Sequence, residues 1–193
     1  MHVQKENQMY KKMPLFALAA ALAASLASCA SFPEPEDDQS TLVIGKLDFS
    51  LEGTSMMSDY LSRITTESIA MVLENRKTGE RYFLNTDLAG NFIKAGVPAG
   101  RYALSRIDVG LRDGETAFTI SGTREMKSSL NIKAGTVSNM GLLDWRMVID
   151  GMGMVTKQVL LSRAGFDEVL SNAKKRAPKS KWWNFPIEEV PLD

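Results

Sequence analysis

The chain has 193 residues, with 23 Lys and Arg against 23 Asp and Glu, so its formal net charge is zero. That balance carries no bulk attraction for nucleic acid. Its one histidine, His2, and its one cysteine, Cys29, both lie in the first 29 residues; the remainder therefore excludes a Ser-His-Asp triad, a Cys-His pair, a His or Cys zinc site and a CxxC redox pair.

The N-terminus reads as a targeting segment. Lys11 and Lys12 precede an Ala- and Leu-rich run from Met13 to Ala27, too short for a permanent membrane span of about 20 residues. A cationic region followed by a short apolar one is the pattern of a signal peptide over residues 1–28. Met9 serves as a start as well as Met1, because residues 9–28 hold the whole pattern. The run ends in Leu26-Ala27-Ser28-Cys29, which resembles the lipobox of bacterial lipoproteins. The resemblance implies that the Cys29 thiol carries a diacylglyceryl group and that cleavage frees its amino group for further acylation. Two or three acyl chains hold a protein stably on a bilayer, where one does not. Ala30 follows in place of the aspartate that retains such proteins at the inner membrane, which implies an outer-membrane anchor facing the periplasm. Loss of residues 1–28 removes Lys5, Lys11, Lys12 and Glu6, leaving 20 basic and 22 acidic side chains.

Residues 29–40 comprise the lipidated cysteine and ASFPEPEDDQS, whose two prolines and four acids read as a solvated tether. From Thr41 short apolar runs alternate with turn chemistry. Val43, Leu47 and Phe49 share one face of a first strand. Residues 51–66 stay open between a helix, from the spacing of Met57, Tyr60, Leu61 and Ile64, and a long loop. Ile69, Met71 and Leu73 mark a second strand, and Lys77-Thr78-Gly79 turns it into a third with Tyr82 and Leu84. NFIKA and RYALSRIDV follow, separated by Pro98-Ala99-Gly100. Asp113-Gly114 predicts a hairpin before Phe118 and Ile120. Leu130 and Ile132 form a further strand, then Leu143, Trp145, Met147 and Ile149 alternate with Asp144 and Arg146. Asp150-Gly151 turns that strand back into 153–161. Phe166, Val169, Leu170, Ala173 and Ala177 share a helical face, with acids in the first turn, bases in the last and Pro178 beyond. The expectation is a mostly β protein: an antiparallel β-sandwich over 41–161, with one C-terminal amphipathic helix and a basic, aromatic tail over 162–193.

The stretch IAMVLENRKTGERYFLNTDLAGNFIKAGVPAGRYAL resembles the prealbumin-like sandwich of carboxypeptidase regulatory-like and Cna-B-like domains. The shared features are a TG hairpin, a Gly-x-Phe turn at Gly90 and Phe92, a proline–glycine corner and a Gly-x-Tyr-x-Leu strand. Members of that group serve as stalks, accessory modules and partner-binding domains, and the resemblance brings no catalytic residues with it.

Several strings need weighing as chemistry. Lys77-Thr78-Gly79 and Ser171-Asn172-Ala173-Lys174 match strings of penicillin-binding enzymes, but in the reverse order and with no SDN between them. Met147, Met152 and Met154 could present thioethers to copper(I), or simply fill a core. The acid pairs Asp37-Asp38 and Glu188-Glu189 are sequence neighbours that nothing visible holds at a separation suited to glycoside hydrolysis. In KKRAPKSKWWNFPIEEV, the residues Lys179, Lys181, Trp182, Trp183 and Phe185 could stack sugar rings or dock a protein. The competing reading packs this tail back over a sheet edge. The sequence therefore reads as a noncatalytic, lipid-anchored envelope module without a cofactor. It is expected to bind an envelope protein partner; glycan or peptidoglycan binding and a carboxylate-dependent hydrolase are the alternatives.

Overall fold

Ten strands and one helix are present among the residues that the computed structural model describes: 32–53, 63–123, 130–150 and 155–190. They are β1 (Leu42–Gly53), β2 (Thr65–Asn75), β3 (Arg81–Asn85), β4 (Asn91–Ala95) and β5 (Gly100–Asp113). Then come β6 (Thr116–Thr123), β7 (Leu130–Ile132), β8 (Val137–Ile149), β9 (Val155–Arg163), helix α1 (Phe166–Arg176) and β10 (Ile187–Glu189). The region of Met57, Tyr60 and Leu61 lies outside the described residues, as do Gly151, Met152 and Met154. No helix among the described residues is long and apolar enough to cross a membrane.

The strands form two sheets of five. In the first, β4, β1 and β8 are neighbours, and β8 carries both β10 and β9 along its other edge. In the second, the order is β3-β2-β5-β6, with β7 also pairing with β5. The inward faces make one core. Val43, Leu47, Phe92, Leu143, Trp145 and Met147 come from the first sheet, and Met71, Leu73, Leu84, Tyr102 and Val109 from the second. Burial of each large side chain contributes roughly 1.5–3 kcal/mol, so the alternation seen in β2 and β8 sets which face points inward.

Two pairings depart from an all-antiparallel sandwich: β1 runs parallel to β8, and so does β10. Between β1 and β8 the chain visits the second sheet, returns as β4 and leaves again through β5–β7, so β8 re-enters beside β1 in the same direction. The pair contains a bulge. Ile44 faces Asn139 and Lys46 faces Leu142, which leaves an extra residue on β8 where Gly141 adopts φ 68°. A Cβ there would stand 2.9 Å from the Phe166 ring. The buried Asn139 amide ties the bulge to the helix: its Nδ2 donates to Phe166 O at 2.8 Å, and its Oδ1 accepts from Gly141 N at 3.0 Å.

Helix α1 covers the outer face of the first sheet, burying Val169 and Ala173. Leu42 and Ile44 are consequently as buried as Val43 on the opposite face of β1. Asp167 and Glu168 lie at the positive end of the helix and Lys174, Lys175 and Arg176 at its negative end, each charge suited to the dipole.

The two ends of the described residues both pack on the domain, the C-terminal one as the reading of a tail folded back over a sheet edge expects. The tail is part of the sandwich, with β10 extending the first sheet and Pro186 O accepting from Val137 N. Residues 33–40 are mostly exposed, with Pro35 and Ser40 half-buried, and are held by local hydrogen bonds. Ser40 Oγ accepts from Glu36 N and Asp37 N at 3.1 Å each, and Asp37 Oδ1 accepts from Gln39 N at 3.0 Å. Gln39 O in turn accepts from Gly135 N. Asp and Ser side chains satisfy nearby backbone donors in this way and so order a stretch whose composition alone suggests none.

Candidate functional site

A cleft of about 420 Å³ opens between Lys46–Phe49 of β1, Thr66–Ile69 of β2 and the β3–β4 turn, residues 86–90. It exists because both sheets lose their outer strand at the same level. Pairing of β4 with β1 stops at Lys46 and Asn91, and pairing of β3 with β2 stops at Ala70 and Asn85. The turn is built by Asp87, whose Oδ1 accepts from Ala89 N and Asn91 N at 2.9 Å each. Gly90 O then accepts from Leu47 N at 2.9 Å, joining the turn to β1.

The buried Leu47 and Ile69 lie at the cleft, and its charged residues are paired. Lys46 Nζ lies 3.5 Å from Asp48 and 3.7 Å from Glu168. Arg112 pairs with Glu67, and Arg176 Nη1 with Asp87 at 2.7 Å. The hydrogen bond from Arg112 to Glu67 holds that guanidinium still further above its ordinary value. Leu88, 93% exposed, stands on the rim. Beyond Leu47 the outer edge of β1 continues to Gly53 with no strand partner among the described residues. Such an edge offers backbone donors and acceptors to an incoming extended chain.

The five tail residues fall into different environments. Trp182 is 1% exposed, and its Nε1–H donates to Pro33 O. Phe185 packs on it with ring centroids 5.1 Å apart. Trp183 is half-buried and donates from Nε1 to Ala177 O at 2.6 Å, with Lys174 Nζ 6.0 Å from its ring centroid. Lys179 and Lys181 are exposed. A 3₁₀ turn, Lys181–Asn184, capped by Ser180 Oγ, accounts for this arrangement. It turns Trp182 into the protein, so the tandem tryptophans form no open platform for a sugar ring.

The remaining strings have local structural roles. Asn75 Oδ1 accepts from Lys77 N and Thr78 N, making the Lys77-Thr78-Gly79 hairpin an Asx turn. Ser171 is exposed on α1, and Met147 is fully buried in the core. Glu188 pairs with Lys133 at 2.9 Å. Among the described residues no three His, Cys, Asp or Glu side chains are placed to hold a metal ion.

One charged cluster sits on the outer face of the first sheet. Asp144, 8% exposed, pairs with Arg146 Nη2 at 3.0 Å and with Arg163. The hydrogen bond from Arg146, reinforced by both positive charges against the opposing effect of burial, holds its carboxyl below the usual carboxylate range. A depressed folded-state pKa adds stability above the unfolded value, lost as pH falls through the folded one. Asp144→Asn is expected to cost about 1–2 kcal/mol near neutral pH. Its difference from the native chain should shrink below about pH 4, as urea unfolding along a pH series will show.

The cleft was not legible in the sequence. Lys46, Asp48, Glu67 and Asp87 form no motif, and only the coincident ends of β3 and β4 bring them together. The one local sign was the Asp87-Leu88-Ala89-Gly90 turn. Comparison with protein-family models and with curated proteins yields no match to this chain.

Proposed function

We propose that this chain is an envelope lipoprotein, anchored through acylated Cys29 to the outer membrane and facing the periplasm. In this reading it is a noncatalytic module that binds a protein partner. The sandwich is of the prealbumin-like kind suggested by the Ile69–Leu104 stretch. The observation that carries the reading is the β1 edge beside the cleft, an open groove of mixed polar and apolar lining bordered by backbone that lacks a strand partner among the described residues. A partner segment in extended form would add to β1 by main-chain hydrogen bonds, and the cleft would receive alternate side chains.

Two experiments test this. Cys29→Ser is expected to abolish lipid labelling and move the chain from the membrane to the soluble fraction; retention in membranes without label would sink the anchor. A photoreactive residue at Asp48, whose side chain is 58% exposed, should give one discrete adduct in cells. That adduct should map to a single extended segment and be competed by the matching peptide. A control at the exposed Lys157 on β9 should give none. Equal adducts at both positions, or none at Asp48, would refute edge binding.

A further inference from the structure

The tail clamp ties the N-terminal stretch of the described residues to one end of the domain. Pro33 O is held by the Trp182 indole and Glu34 Oε2 by Lys181 N at 2.9 Å. If Cys29 carries the lipid, as proposed above, only Ala30, Ser31 and Phe32 separate it from the clamped Pro33. That length of chain spans at most about 14 Å. By contrast, β1 alone, with 12 residues, carries the sandwich about 36 Å from its first residue to its last. The β5–β6 hairpin lies at the far end, because β5 leaves Gly100 beside the base of the first sheet and turns only at Asp113.

Around the clamp, Lys174, Lys175, Lys179 and Lys181 are all exposed, and none forms an ion pair among the described residues. Arg176, on the same helix, is instead committed to Asp87. The half-buried Trp183 lies among these lysines, next to Lys174. Flexible ammonium groups around an amphipathic indole are suited to a bilayer interface, where lysine reaches phosphate and tryptophan sits at headgroup level. Glu34, Glu36, Asp37 and Asp38 are exposed in the clamp and the neighbouring stretch and offset the net charge of the four lysines, so the lysines act through local contact and not through bulk attraction. The short leash therefore sets the apposition, and the lysines supply the contacts.

We propose that this foot, formed by the Pro33–Glu34 clamp, Trp183 and the four lysines, lies against the phospholipid headgroups of the anchoring membrane. Its ammonium groups contact lipid phosphate, and the β5–β6 tip points away. The inference rests on the anchored reading. The acylated full chain, carrying a fluorophore at Lys179→Cys or at Glu115→Cys, is to be reconstituted in phosphatidylethanolamine–phosphatidylglycerol vesicles with a headgroup spin-labelled lipid. Both positions are exposed, and acylation leaves the introduced thiol as the one available for labelling. Severalfold stronger quenching at position 179 than at 115 is expected. An acylated chain with equal quenching at the two positions would overturn the foot and leave the anchor standing. A chain whose intact mass lacks acyl groups would overturn both.

Discussion

Trp182→Ala is expected to lower folding stability by about 3–5 kcal/mol, the range for truncating a fully buried large aromatic. The indole is 1% exposed, packs at a tilt on Phe185 and donates to Pro33 O, so its loss opens a cavity and frees a backbone acceptor together. The second effect reaches the chain next to the proposed anchor. Residues 33–40 would lose their hold on the tail, and amides such as Gly135 N, which donates to Gln39 O, should exchange faster with deuterium. Trp182→Phe keeps most of the apolar burial and should cost only about 1–2 kcal/mol, the value of the lost hydrogen bond. Urea unfolding of both variants, with hydrogen exchange on the second, separates packing from clamping. An alanine variant of native stability would show that the indole is not part of the core.

Gly90→Ala is expected to be of similar severity, roughly 3 kcal/mol or more, from backbone strain and overpacking together. Gly90 adopts φ 82°, and an added Cβ would lie 2.3 Å from Leu47 O. The obstacle is backbone, which cannot swing aside as a side chain does. The same contact holds the cleft together, since Gly90 O accepts from Leu47 N. Displacing the turn should therefore lower the unfolding midpoint and also remove the Asp48 adduct in the surviving folded fraction. An unchanged midpoint would mean that the β3–β4 turn does not approach β1 as closely as described.

The positions of the elements were written locally. Leu143, Trp145 and Met147 alternate because a strand buries every second side chain, and all three lie in the core. Asp113-Gly114 turns where it should, with Gly114 at φ 56°. Val169 and Ala173 bury the predicted helical face. The lack of histidine and thiol beyond Cys29 is likewise a property of composition.

Which strand lies beside which was not local. Little in Leu42–Gly53 announces a parallel partner in Val137–Ile149, because parallel pairing requires a crossover whose route only the packed sheets define. The consecutive Leu42-Val43-Ile44 was the one trace of it, an apolar run that fits burial on both faces. The tail shows the same division. Its residue types suit both an interface and a core, and the 3₁₀ turn at Ser180 decides between them by sending Trp182 inward while Lys179 and Lys181 stay in solvent. Most strands and turns, the helix face and the lack of imidazole and thiol beyond Cys29 follow from neighbouring residues alone, because periodicity and composition act over short stretches. The strand order, the clamp on Pro33 and the cleft arise in the packed fold, because each depends on residues that meet when two sheets close over one core.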